Sequence, residues 1–342
     1  MTNQKKHIAV SGYYGFENFG DEAILKVLAS ELKNNHFDVT VFSKNPETTA
    51  TKLDVKSVYT FDIKKIITTL KESDVLISGG GSLLQDATSL KSLFYYLFVI
   101  YAAQFLRKDV IIFAQGIGPI RNFIGKFLTK RALKNCAYIT VRDEKSLSLL
   151  KEWAISSDLV SDPVWNLDTN DYQPSNRVGI QLRNWKSISD KFLYLLAEQI
   201  NKHFSDKEIY IYSFQDALDF DICKKFESQL KNINQNIKTK LIPALNTDDT
   251  INSFANLDYL IAMRYHACLL ALKYGIPTLA LSYDEKVEKI AKRFEIPCSF
   301  LKDDEDFESM FNSLKSVDSL NIREKAKECK FSFEKILKAI IK

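Results

Sequence analysis

The sequence predicts an α/β protein made of two Rossmann-like domains facing a cleft. Three observations predict it. Short apolar runs alternate with helical patterns through the first half, a polar segment at 166–176 interrupts them, and the alternation then starts again. The 342 residues exceed one ordinary core and suit two domains of roughly 150 residues each.

The elements follow in order. HIAVSGYY (7–14) is short, apolar and closed by turn residues, which predicts a strand. Residues 21–32 carry Ile24, Val27, Leu28 and Leu32 at helical spacing. Residues 38–43, 74–80, 109–116 and 137–143 read as further strands. Helices fit between them at 62–72, 89–107, 122–135 and 144–153. Apolar strands separated by helices imply a parallel sheet covered on both faces. After the linker NLDTNDYQPSN, strands are expected at 177–185 and 208–214, with helices at 189–204 and 217–230. TKLIPAL, YLIAM and PTLALSY continue the series. The domains are therefore set at 1–168 and 176–320. Residues 321–342 are expected to form a C-terminal helix packing back on the first domain.

Composition excludes several classes. The chain is 46% hydrophobic and 26% charged, with 47 basic and 43 acidic residues giving a net charge of +4. So small an excess argues against a nucleic-acid partner and is compatible with anionic small molecules or a weak approach to an acidic membrane. The five cysteines are widely spaced without a C-x-x-C pair, so neither a disulfide framework nor a zinc site is supported. A reducing compartment fits best. The apolar run at 93–106 is shorter than the ~20 residues needed to span a bilayer. It reads as a buried core helix in preference to an interfacial anchor. The apolar run near the N-terminus is too short for a signal sequence, and the expected location is cytoplasmic.

Chemistry is sought in the loops after strands, because open parallel sheets bind ligands beyond their carboxyl ends. The first such loop runs from Gly12 to Asp21. Its glycines allow close backbone approach, and the helix it opens can receive an anion or be capped by Asp21. Tyr14 and Phe16, read as exposed aromatics, suit stacking on a sugar, and Asn18 is assigned to the same acceptor side. The second loop holds Gly79, Gly80 and Gly81, either a ligand-hugging turn or a merely flexible one. The third holds Gln115, a candidate hydrogen-bonding partner for substrate or part of a strand-ending turn. Arg142 ends the next strand. It offers a bidentate cation for phosphate or carboxylate, unless Asp143 or Glu144 neutralises it. In the second half, Arg264 and His266 sit at a strand–helix junction suited to anions. Lys286 starts a later helix, and Arg183 ends the first strand of that domain. For both, a plain surface role is the alternative.

These segments carry a resemblance. GYYGFENFGDEAIL, ISGGGSLLQDATS, AQGIGP, TVRDEKS, MRYHACLLALKYGIP and SYDEKV resemble, in that order, signature segments of bacterial polysaccharide pyruvyl transferases of the CsaB type. The resemblance runs from about residue 8 to about residue 297. It implies a GT-B-like fold, phosphoenolpyruvate as donor substrate, no cofactor and no metal. It implies that Arg142, His266 and Lys286 hold the donor, that Arg264 is the arginine of the R-x-H segment, and that Tyr14 and Phe16 meet the acceptor. Tyr265 stands where leucine is commoner. The implied acceptor is a terminal N-acetylmannosamine, or another hexose, on a lipid-linked oligosaccharide or polysaccharide precursor. That would bring the enzyme to peripheral contact with the inner membrane face. His266 is expected to act as general acid or as phosphate ligand, and Asp21 as a base for the sugar hydroxyl. The alternatives are a GT-B glycosyltransferase using a nucleotide sugar and a non-catalytic sugar-binding protein.

Overall fold

A computed structural model describes residues 5–342; residues 1–4, the start of the expected first domain, lie outside it. The chain divides into two compact units, one ending at Leu167 but completed by Lys330–Lys342, the other spanning Asp168–Cys329.

In the first unit the order is β1 (His7–Ser11), α1 (Phe19–Asn34), β2 (Asp38–Ser43), α2 (Pro46–Leu53), β3 (Lys56–Tyr59), α3 (Ile63–Glu72) and β4 (Val75–Ser78). Then come α4 (Leu90–Phe105), β5 (Asp109–Gln115), α5 (Phe123–Lys134), β6 (Tyr138–Val141), α6 (Glu144–Glu152) and β7 (Asp158–Leu159). All seven strands are parallel, in the order β3-β2-β1-β4-β5-β6-β7. β4 is buried at every residue, as expected for a strand covered on both faces. Leu76, Ile112, Leu93, Leu97, Ile100, Ala132 and Leu133 share one core with Ile66 and Leu70 of α3.

The second unit contains β8 (Arg177–Gln181), α7 (Asp190–Phe204), β9 (Glu208–Tyr212), α8 (Asp216–Ile233), β10 (Thr239–Ile242), α9 (Thr247–Phe254) and β11 (Tyr259–Ala262). It continues with α10 (Tyr265–Tyr274), β12 (Thr278–Leu281), α11 (Glu285–Phe294), β13 (Cys298–Ser299), α12 (Phe307–Lys315) and α13 (Ser319–Lys327). Its six strands are also parallel, ordered β10-β9-β8-β11-β12-β13. Each unit is thus a Rossmann-like parallel α/β domain.

Both sheets reverse their winding direction once, at β1/β4 in the first and at β8/β11 in the second. At such a switch point the flanking loops diverge and leave a crevice at the strands' carboxyl ends, where ligands bind. The loops beginning at Gly12 and Gly79 flank the first switch point. Those containing Arg183 and Arg264 flank the second.

Two departures from expectation have local causes. The region between β2 and α3 forms a helix and a strand that the apolar spacing did not announce. α2 is nucleated by Asn45, whose side chain accepts the Thr48 N–H, with Pro46 in its first turn. The final helix expected over 321–342 is instead two, α13 and α14 (Glu334–Ile341). Between them Phe331 and Phe333 both pack on Phe113, at 5.3 and 5.7 Å between ring centroids. Two side chains two residues apart reach one target from extended chain, not from a helix. Asn166 clamps this return segment: its amide donates to the Phe331 carbonyl and accepts the Phe331 N–H, both at 2.8 Å.

Candidate active site

The loops at the first switch point are densely packed. Asn18, not Asp21, caps α1, accepting the Gly20 N–H at 3.1 Å. Asp21 lies in the first helical turn with its carboxylate against Gly81, where an added Cβ would meet Oδ1 at 2.6 Å. Gly81 itself has φ +96°. Glycine is needed there on both counts.

Tyr14 corrects the expectation of an exposed aromatic: it is 0% exposed. Its ring lies over Gly12 and its hydroxyl against Gly79, where an added Cβ would approach to 1.9 Å. The hydroxyl has no hydrogen-bond partner among the described residues. Burial, then the Asp21 and Glu22 carboxylates, push this phenol well above the usual range. The aromatic pair of this loop is Tyr13 and Phe16, stacked at 4.1 Å and 5° and only partly buried. Glu22 accepts the Gly15 N–H at 2.7 Å, and burial raises its pKa while that hydrogen bond works the other way.

Gln115 also lies inside the fold. It is 0% exposed, and its Nε2 reaches the Ser78 carbonyl, the Ser78 hydroxyl and the Gly79 carbonyl at 3.1, 2.8 and 2.8 Å. It braces the glycine loop from within. A register shift in β5 between Ile112 and Gln115 accompanies this placement. There the Thr140 hydroxyl takes the Ala114 N–H and donates to the Ile112 carbonyl, patching the ladder. Gly79 and Gly80 are likewise buried, Gly80 against Ile24. The triple glycine therefore allows close packing, Gly79 on Tyr14 and Gly80 and Gly81 on Ile24 and Asp21 of α1. Ser11 Oγ, Tyr14 Oη and Gln115 Oε1, all around this loop, are buried polar atoms without a partner among the described residues. Such a cluster marks an unusual spot, because buried polar atoms are normally satisfied.

Arg142, at the end of β6, pairs with Asp162 at 2.7 Å, with side chains 8% and 1% exposed. The neighbouring Asp143 instead caps α6 through the Ser146 N–H and hydroxyl. Arg142 Nη2 also points toward Ser82, at 3.5 Å. Asp162 is thus a neutralising carboxylate that the sequence reading did not name.

At the second switch point Arg264 is nearly buried. Its Nε and Nη2 donate to Asp219 at 2.7 Å each, and its backbone N–H donates to Gln181 at 2.8 Å. Asp219 also accepts the Phe214 and Gln215 N–H groups. Arg264 is therefore committed by two nitrogens to a protein carboxylate, which qualifies its expected role as a donor ligand. Asp219 and Gln181 are the residues that sequence reasoning missed. Arg264 stands at the cap position of α10 and makes no side-chain hydrogen bond to its first turn. His266, in that turn, lies edge-on to Tyr265 at 5.1 Å.

Arg183 lies over Trp185 and Tyr283, at 5.4 and 5.5 Å from the ring centroids, and its Nη1 is 3.4 Å from the Tyr283 hydroxyl. Burial and Asp284 raise the Tyr283 pKa, while the Arg183 and Arg264 charges oppose them. Both arginines thus act electrostatically on one tyrosine. Lys286 sits in the first turn of α11, whose cap Asp284 accepts the Lys286 and Val287 N–H groups. Arg183, Arg264, His266, Tyr283 and Lys286 all follow the carboxyl ends of the neighbouring strands β8, β11 and β12. Among the described residues no group of three or more His, Cys, Asp or Glu side chains could hold a metal ion.

Comparison with solved structures shows the fold. A UDP-GlcNAc 2-epimerase from Neisseria meningitidis, solved with UDP-GlcNAc bound, matches with a TM-score of 0.66 at 12% identity, over 98% of this chain and 99% of that one. A glycosyltransferase from Rickettsia africae matches with a TM-score of 0.62 at 14% identity, over 99% of both chains. A sucrose-phosphate synthase from Thermosynechococcus elongatus matches with a TM-score of 0.55 at 10% identity, over 97% of this chain and 96% of that one. The fold is thus GT-B-like, and at these identities the likeness speaks for fold alone. No curated protein matches in sequence. The family model for polysaccharide pyruvyl transferases matches residues 18–285, a span that holds the Gly79 loop and the loops of Arg183 and Arg264, and the chain belongs to the polysaccharide pyruvyl transferase family.

Proposed function

We propose that the protein transfers a pyruvyl group from phosphoenolpyruvate to a sugar of a lipid-linked oligosaccharide or polysaccharide precursor, forming a pyruvate ketal and releasing phosphate, as a CsaB-type enzyme. One observation carries this reading: Arg183, His266 and Lys286 follow the carboxyl ends of the neighbouring strands β8, β11 and β12, the first two inside the family match and Lys286 one residue beyond it. Phosphoenolpyruvate brings a phosphate and a carboxylate, and cationic side chains at a helix start suit both. Arg264, tied to Asp219, holds the His266 turn in place. Arg142 is proposed as a further anion contact. The Tyr13–Phe16 stack, in place of Tyr14, offers the aromatic face for a sugar.

In the proposed reaction a proton adds to the methylene carbon and makes the enol carbon electrophilic. One sugar hydroxyl adds there and loses its proton. Phosphate then leaves with its bonding electrons, and the second hydroxyl closes the ketal as its proton departs. Of the two hydroxyl protons, one replaces that given to the methylene and the other leaves with phosphate. His266 is the proposed acid, or the group that eases phosphate departure, and Asp21 the proposed base. No cofactor is called for.

The test is incubation with phosphoenolpyruvate and a panel of sugar acceptors, terminal N-acetylmannosamine among them, with phosphate release and product mass as readouts. His266→Ala is expected to lower turnover by at least the 10²-fold typical of a lost acid–base group. Near-wild-type pyruvylation by that variant removes the histidine from the mechanism. Sugar transfer from a nucleotide sugar, with no use of phosphoenolpyruvate, overturns the proposed function.

A further inference from the structure

We propose that the α4–α5 face of the first unit docks on the surface of an anionic lipid bilayer. The inference stands on this surface alone and does not depend on the transfer reaction. α5 packs beside α4 with the two running in the same direction. Gly125 meets Leu93, the Tyr101 hydroxyl donates to the Leu128 carbonyl, and Gln104 donates to the Ala132 carbonyl. The first turns of α5 therefore lie next to the first half of α4. Both present large apolar side chains to solvent. Phe123 is 83% exposed, with Ile124 and Phe127 beside it on α5, and Leu90, Phe94 and Phe98 form an i, i+4, i+8 stripe on α4. Soluble proteins seldom expose so many large apolar groups together without a partner.

The charge around these residues selects the partner. Residues 89–135 hold eight basic side chains and one acidic, Asp109, a larger excess than the +4 of the whole chain. On α5 the lysines at 126, 130 and 134 recur every four residues, so they flank the exposed phenylalanines along the same helix face. Aromatic and aliphatic side chains interleaved with lysine and arginine match the boundary of an anionic bilayer, where rings enter the headgroup layer and cations meet phosphate. A self-complementary contact with a second copy would set this positive patch against itself. No described helix is long and apolar enough to cross a membrane, so the contact lies at the bilayer surface.

The test is cosedimentation of the full chain with phosphatidylcholine vesicles, with and without phosphatidylglycerol. The wild-type chain binds the phosphatidylglycerol vesicles at least tenfold more tightly than phosphatidylcholine alone, and added salt weakens that binding. A cation at an anionic surface contributes roughly fivefold in affinity. Lys126→Gln/Lys130→Gln/Lys134→Gln therefore lowers binding by at least tenfold, as does Phe123→Ser/Phe127→Ser. All five side chains are at or near the surface, so both variants keep the wild-type circular dichroism and melting temperature. Equal binding to both vesicle types, or unchanged binding by folded variants, overturns the proposal. Concentration-dependent dimerisation that Phe123→Ser/Phe127→Ser abolishes, with no vesicle binding, assigns the face to a second copy and also overturns it.

Discussion

Replacing Asp219 by alanine isolates the device that holds the second switch point together. The carboxylate is completely buried and takes two guanidinium nitrogens of Arg264 at 2.7 Å, along with the Phe214 and Gln215 N–H groups at 3.0 and 3.1 Å. Alanine would leave a guanidinium with a side chain 10% exposed and without its counter-charge. Stranding one member of a buried pair costs about 3–5 kcal/mol. Asp219→Asn keeps the volume and one acceptor oxygen but removes the charge, so about 1.5–3 kcal/mol is expected, the worth of hydrogen bonds to a charged group. Arg264→Met/Asp219→Leu removes both charges, and its cost should fall below the sum of Arg264→Met and Asp219→Leu by more than about 1 kcal/mol. Urea unfolding gives the totals, and hydrogen exchange at the β8 and β11 amides assigns the loss to the second unit. An Asp219→Ala protein within about 1 kcal/mol of wild type, or strict additivity in the cycle, would refute the reasoning.

Three further outcomes follow from the first unit. Gly79→Ala places a Cβ 1.9 Å from the Tyr14 hydroxyl but 3.0 Å from the ring carbon bearing it. It should destabilise by about 1–3 kcal/mol, and adding Tyr14→Phe should return at least half of that in urea melts. Tyr14→Phe alone removes a buried hydroxyl that has no partner among the described residues, so it should leave stability unchanged or raised; a clear loss would mean the hydroxyl bonds something essential. Glu22→Gln should stabilise the protein at neutral pH. Burial raises the Glu22 pKa, so the folded state holds this proton more tightly and wild-type stability falls as pH climbs through the raised value. The benefit should vanish below the ordinary value of 4.5, where both side chains are neutral; a benefit that persists there would sink the argument.

The alternation of strands and helices was legible because both sheets are covered on both faces. Runs such as Val75–Ser78 and Thr278–Leu281 are buried at every residue and read as unbroken apolar segments. The loops bearing the candidate residues were legible as loops too, because a parallel sheet places them after its strands. What escaped was pairing across long sequence separations. Asp219 precedes Arg264 by 45 residues and Asp162 follows Arg142 by 20, and no local spacing announces either. Tyr13 and Tyr14 are adjacent and chemically identical. Which one turns inward is decided by the bare backbones at Gly12 and Gly79, visible only once β1 and β4 are side by side. Asn45-Pro46 was a start signal for α2 that apolar periodicity alone overlooked.

The reciprocal amide pairing of Asn166 with Phe331 means that the second unit is an insertion. It leaves the first between Leu167 and Asp168 and rejoins it after Cys329, with the exit and re-entry points side by side. Closing a gap that narrow takes few residues, and loop-closure entropy grows only slowly with length. A short glycine-serine bridge in place of 168–329 should thus yield a free-standing seven-stranded domain that still carries its own closing segment. The same junction is a natural seam for recombination, at which one inserted unit could be exchanged for another without disturbing the host sheet.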